Sequence, residues 1–166
     1  MTPRVRKFAL TAHVASSVGW LGAVAAFLAL AVVGLTSQDA QTVRGAYVVM
    51  EPAAWIVLVP LAFASLLTGL VQSLGTPWGL FRHYWVLAKL LLNVLAAIVL
   101  LLYMQTFGAL ASVAADPSAD LGAVRNVSPL LHAGLALLLL LTATILAVCK
   151  PRGMTPYGRR RSSGAG

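Results

Sequence analysis

One cysteine and four acidic residues in a chain of 166 leave several chemistries without candidates. The single thiol, Cys149, cannot close an intrachain disulfide framework or build a cysteine metal cluster. The acids are Asp39, Glu51, Asp116 and Asp120, and no apolar stretch holds two of them. Hydrolysis by paired carboxylates and a carboxylate proton relay therefore lack their groups. There is no P-loop, no G-x-G-x-x-G, no H-E-x-x-H and no C-x-x-C. Charged residues make up 10% of the chain, against about 25% in a soluble domain. So little polar surface cannot cover a water-facing globule, which excludes an ordinary cytosolic enzyme and a disordered chain. The length allows one domain.

What is abundant is apolar: 60% of the residues are hydrophobic. A membrane-spanning helix needs about 20 mostly apolar residues, and four stretches meet that length: about 8–35, 52–74, 84–107 and 129–149. The expected fold is all-α, a polytopic four-helix transmembrane bundle over residues 1–150. A basic tail, 151–166, follows. Its polar, Gly/Ser-rich end from Arg159 to Gly166 is expected to be disordered. Pro52 and Pro129 suit first helical positions, with Ser128 as an N-cap. Gly75-Thr76-Pro77 and Lys150-Pro151 close the second and fourth spans, and Pro60 predicts a kink. Arg4, Arg6 and Lys7 resemble the start of a signal peptide. The apolar run behind them is about 28 residues, however, well above the 7–15 of a signal core, so it reads as a retained span.

The net charge of +8 divides by side. One side holds Arg4, Arg6, Lys7, Arg82, Lys89, Lys150, Arg152, Arg159, Arg160 and Arg161, and no acid. The other holds Arg44, Arg125 and all four acids. By the positive-inside rule both termini are expected in the cytoplasm. The excess is an orientation signal, and no nucleic-acid partner is implied. The Arg159-Arg160-Arg161 run suits anionic lipid head groups, and Trp78, Tyr84 and Trp85 suit an inner aromatic belt.

Ionisable residues within a span are costly and so become functional candidates. His13 lies about five residues inside the first span, roughly 7–8 Å deep. Lys89 lies at a similar depth in the third, with Asn93 one turn further on the same face. His13, Ser16, Ser17 and Trp20 share one face of the first span. Ser65, Thr68, Gly69 and Gln72 share one face of the second. Polar stripes turn toward one another in a bundle, so a polar pocket around His13 and Lys89 is expected in the cytoplasmic half. His132 lies some 15 Å away along the membrane normal, too far to share one metal ion with His13 and nearer the level of Tyr103. Structural alternatives exist for each residue. Lys89 can snorkel to the interface, His13 can serve as a packing hydrogen-bond donor, and the small polar stripes suit close helix contact.

His13 followed by Trp20-Leu21-Gly22, with Trp85-Val86-Leu87-Ala88-Lys89-Leu90 opening the third span, resembles a group of small four-helix membrane proteins. The group includes the HemJ-type protoporphyrinogen oxidases and the CopD-like copper-resistance domains. An uncharacterised family of bacterial integral membrane proteins is most similar, over nearly the whole chain and including a basic tail like Lys150-Pro151-Arg152-Gly153. The resemblance implies a bacterial inner-membrane location. In the HemJ type, a first-helix histidine and a third-helix lysine are associated with b-type haem. The resemblance therefore implies His13 and Lys89 as axial ligands, with Ser17, Trp20 and Asn93 lining the pocket. The chain departs from that type at Tyr103-Met104-Gln105, where a further histidine is expected.

Three readings follow. The first is a haem-binding membrane redox protein. The second is a metal- or small-solute-handling component, whose outer candidates are His132, Tyr103, Met50 and Met104. The third is a non-catalytic module that packs against a partner or a second copy through Gly19–Ala23 and Gly22–Ala26.

Overall fold

The computed structural model describes residues 1–76 and 79–163, the last three by backbone alone. Pro77 and Trp78, expected as a helix terminator and part of an aromatic belt, lie outside the described residues, as does 164–166 at the end of the tail. The described chain is all-α. Helix α1 runs Pro3–Thr36 and α2 runs Ala40–Ala53. A π-helical turn, Ala54–Leu58, leads without a break into α3, Val59–Gly75. Then follow α4 (Tyr84–Ala115), the short α5 (Leu121–Val124), α6 (Ser128–Cys149) and α7 (Pro156–Ser163). Four segments are long and apolar enough to cross a membrane. At 1.5 Å per residue the 34 residues of α1 extend about 51 Å, well beyond a hydrocarbon core of about 30 Å.

The four long segments form a ring in chain order: α1 packs on α3, α3 on α4, α4 on α6, and α6 back on α1. The buried positions of α1 are Ala9, His13, Ser16, Trp20, Val24, Phe27, Ala31 and Gly34. They recur every three or four residues, the seam of a left-handed bundle. Aromatic side chains gather in the half away from the termini. Phe27 and Phe107 meet edge-on at 5.5 Å, and Tyr103 and Phe107 at 5.0 Å. Tyr47, Met50 and Val43 of α2 are fully enclosed there.

Four expectations about element edges are corrected, among them Ser128, which is the first residue of α6 and not its cap, Val127 standing in the cap position. The second span begins at Ala40, so Pro52 is interior and does not start the helix. Asp39 caps the true start, its Oδ2 accepting from the Thr42 N–H at 2.8 Å and the Thr42 hydroxyl at 2.6 Å. Those two bonds, the hydroxyl's first, hold its carboxyl below the usual carboxylate range. Val43, Ala46, Tyr47 and Met50 then bury one face. Without N–H groups, Pro52 and Pro60 leave the Val48 and Ile56 carbonyls without helical donors, and the π-turn lies between them. Third, α4 runs eight residues past Phe107 because Leu110, Ala111 and Ala114 remain buried. Fourth, the tail is helical over Pro156–Ser163. The Thr155 hydroxyl donates to the Phe81 carbonyl, the Thr155 N–H donates to that of Arg82, and His83 bridges Met154. These contacts seat the tail on the loop between α3 and α4, and anchorage of this kind orders a polar terminus.

The two basic residues of the acid-rich end cap helix C-termini, where carbonyls lack partners. Arg44 donates to the carbonyls of Ala114 (3.1 Å), Asp116 (2.5 Å) and Ala119 (2.6 Å), closing α4. Arg125 donates to the Ser37 carbonyl at 2.8 Å, closing α1.

Gly34 marks the closest approach in this half. A Cβ there would lie 2.7 Å from Tyr47 Cε2, whereas one at Gly22 would meet nothing within 4 Å. Gly34→Ala is expected to lower unfolding stability by about 1–3 kcal/mol, the usual overpacking loss. Gly22→Ala should leave it nearly unchanged. Chemical unfolding in detergent micelles checks the difference.

Candidate functional site

Three of the polar residues singled out by position meet at the end of the bundle that carries the termini. His13 of α1 is buried, and both ring nitrogens have partners. Nδ1 lies 3.0 Å from the Thr68 hydroxyl of α3, and Nε2 lies 3.1 Å from Lys89 Nζ of α4. The proton positions follow from the chain of bonds. The Thr68 Oγ1 is 2.5 Å from the Ala64 carbonyl, which can only accept, so its hydroxyl hydrogen goes there. The Thr68 oxygen then accepts from His13, and Nδ1 carries the ring hydrogen. Nε2 is left with a lone pair, which accepts from Lys89. One imidazole thereby joins three helices.

Neighbouring polar groups complete the stripe. Ser16 Oγ donates to the His13 carbonyl at 3.1 Å, and Ser17 Oγ lies 2.8 Å from Ser65 Oγ across the α1/α3 contact. Gly69 makes room for the ring: a Cβ there would sit 3.1 Å from His13 Cε1. Gly19 has a similar use, because its Cβ would come within 3.3 Å of Leu61. One of the two small-residue pairs therefore serves contact inside the bundle.

These residues border a cavity of about 680 Å³, in the range that accepts a cofactor-sized molecule. Ser17, Trp20 and Asn93 line it together with His13 and Lys89, so the structure gathers all five expected pocket residues around one space. Its mouth, at the termini end, carries Arg6, Thr76 and Lys150. Its long walls are apolar, from Leu10, Val14 and Leu21 to Leu140 and Ala143. No carboxylate of the described residues lines it. The Gln72 side-chain nitrogen, also on the wall, is fully buried and has no hydrogen-bond partner among the described residues. A buried donor left unmatched in this way invites an acceptor from whatever fills the space.

Position in the sequence missed two features. The α6 wall, Leu140, Ala143 and Thr144, carries no ionisable group that could have flagged it. Trp85, expected in an interfacial belt, lines the cavity as well. Lys89 does not reach toward the interface; its ammonium nitrogen turns to His13.

His132 belongs elsewhere. Its ring stacks on Tyr103 with centroids 4.0 Å apart, and the Tyr103 hydroxyl donates to Ser128 Oγ at 2.9 Å. Met50 and Met104 are packed in the core and do not reach an entry mouth. No group of three or more His, Cys, Asp or Glu side chains gathers at one place among the described residues.

The residues present fit a haem in kind: an imidazole nitrogen with a lone pair, an amine beside it, apolar walls, and cations at the mouth for carboxylate groups. His13 Nε2 and Lys89 Nζ, 3.1 Å apart and hydrogen-bonded to each other here, are the two nitrogens that would hold the iron.

Thr68→Val keeps the shape and removes the acceptor for His13 Nδ1. It is expected to lower stability by about 0.5–2 kcal/mol, the range for hydrogen bonds between membrane helices. Thr142→Val, on an exposed face of α6, should have little effect. Paired unfolding curves measure both.

No protein-family model, no curated protein and no solved structure matches the chain.

Proposed function

We propose that the chain is a haem-binding integral membrane protein that holds b-type haem in the cavity at its termini end. His13 through Nε2 and Lys89 through Nζ would hold its iron, with Ser17, Trp20 and Asn93 on the walls. The observation that carries this reading is a lone-pair imidazole nitrogen beside an amine on a cavity of about 680 Å³. Bound there, haem supplies one-electron chemistry at its iron. Thr68 holds the imidazole in the tautomer that presents Nε2, as hydrogen-bonded partners do for metal-bound histidines. Gly69 keeps the ring from being displaced. Arg6 and Lys150 offer positive charge to the carboxylates of the ligand, and Gln72 offers a hydrogen.

The termini end is the cytoplasmic face of a bacterial inner membrane in this reading. Ten of the twelve basic residues lie on that side, and the other two, Arg44 and Arg125, are occupied in capping helices. The basic tail then lies against anionic lipid head groups. One observation supports a second reading, lateral packing against a partner or a second copy. Gly22 and Ala26 face outward from α1, with open space beside Gly22.

Protein purified in lipid nanodiscs and supplemented with haemin is expected to show a Soret band. His13→Ala should abolish it, and Lys89→Ala should shift and weaken it. Absence of the band overturns the haem reading. A band unchanged in both variants reassigns the ligands.

A further inference from the structure

Another cavity lies among α1, α4 and α6, in the half away from the termini, and encloses about 350 Å³. That is near the small end for ligand pockets, room for one substituted ring and too little for a porphyrin. Its wall is apolar and strongly aromatic, with Trp20, Phe27, Tyr103 and Phe107 on it. Ala96, Ala133 and Ala136 make the space by being small. The rim runs out to Leu95 of α4 and Leu135 of α6, which are 50% and 65% exposed. These exposed leucines belong to spanning helices, so the opening faces lipid.

Two polar side chains define what enters. Tyr103 has already given its hydrogen to Ser128 Oγ. His132 Nδ1 lies 2.9 Å from the Ser128 carbonyl oxygen, an acceptor only, so Nδ1 carries the hydrogen of the neutral ring. Its Nε2 is then a bare acceptor, and no bond to it is formed by the described residues. A ligand must bring its own hydrogen to this nitrogen.

We propose that this cavity binds a lipid-soluble phenol, the chemical class that includes reduced quinones. It enters sideways from the bilayer between α4 and α6. Its ring lies among the aromatic side chains, and its hydroxyl donates to His132 Nε2. The proposal is independent of haem in the first cavity, because the two spaces share only Trp20.

The test uses the full chain in nanodiscs with three probes: decylubiquinol, its dimethyl ether, and decylubiquinone. Ligand that binds the folded state raises the unfolding midpoint by mass action. The quinol is expected to raise it most. The ether and the quinone, lacking a hydroxyl hydrogen, should bind about tenfold more weakly, the loss of one hydrogen bond. Ala136→Phe and Ala133→Leu fill the space and should remove the quinol shift. His132→Phe keeps a ring against Tyr103 and should bind quinol and ether alike. The proposal is overturned if wild-type protein shows no quinol shift, or responds equally to quinol and ether. It is also overturned if both filled variants bind quinol as wild type does. The wild-type comparison of quinol with ether decides the matter even where a filled variant fails to fold.

Discussion

Inside a bilayer an unpartnered buried polar group is costly, which favours arrangements that supply a partner from the protein. His13 is partnered at both ring nitrogens, and its two partners come from different helices. The consequence reaches beyond one side chain. Helix α1 must present His13 to α3 and α4 together, which sets its rotation and its height in the ring. The same rotation aims Ser17 at Ser65 and Trp20 into the bundle. Four and seven residues beyond Trp20 it brings Val24 and Phe27 into the apolar core. Polar matching at one end and hydrophobic packing at the other therefore demand the same face of α1. Agreement between levels of this kind marks a sequence that specifies one arrangement.

The two halves of the bundle divide the labour. Away from the termini, aromatic rings, a glycine under Tyr47 and two arginine caps pack around a smaller, apolar cavity. Toward the termini the helices enclose a larger one, and α6 buries only Leu140 and Ala143 below Pro129. A bundle can hold open space without losing its topology, since stability is unevenly distributed in folded chains. That is the physical setting in which a ligand site can sit within so small a chain. It also explains the placement of charge. Arg44 and Arg125 are bound to carbonyls at the packed end, while Arg6 and Lys150 stand at the cavity mouth.

The sequence showed the spans because composition alone reveals twenty-residue apolar runs. It showed the meeting of His13 and Lys89 because both sit about five residues inside spans that run in the same direction. Depth can be counted, and rarity of charge identified the candidates. Other features depended on signals that run against composition. The start of α2 lies in a segment with Arg44 and Glu51, which looks like a loop by hydropathy. The Asp39 cap and the three- and four-residue spacing of Val43, Ala46, Tyr47 and Met50 were the legible signs of a helix there. Helix α7 could not be read from its own residues, because its order comes from Thr155 and Gly158 resting on the loop near Arg82. The cavities were illegible for a further reason: empty space arises from small residues on separate helices, and no single helix records it.

Trp20 draws these strands together. It is 2% exposed and borders both cavities. The indole therefore borders both the polar space around His13 and the aromatic space beside His132. It is the residue that the two linings share. One is a polar compartment with cations at its mouth, and the other an apolar compartment that opens toward lipid. The spacing that puts Trp20 seven residues after His13, two turns along one helix face, thus does more than add packing area. It makes the face that carries the imidazole also carry the side chain that two spaces of different chemistry share.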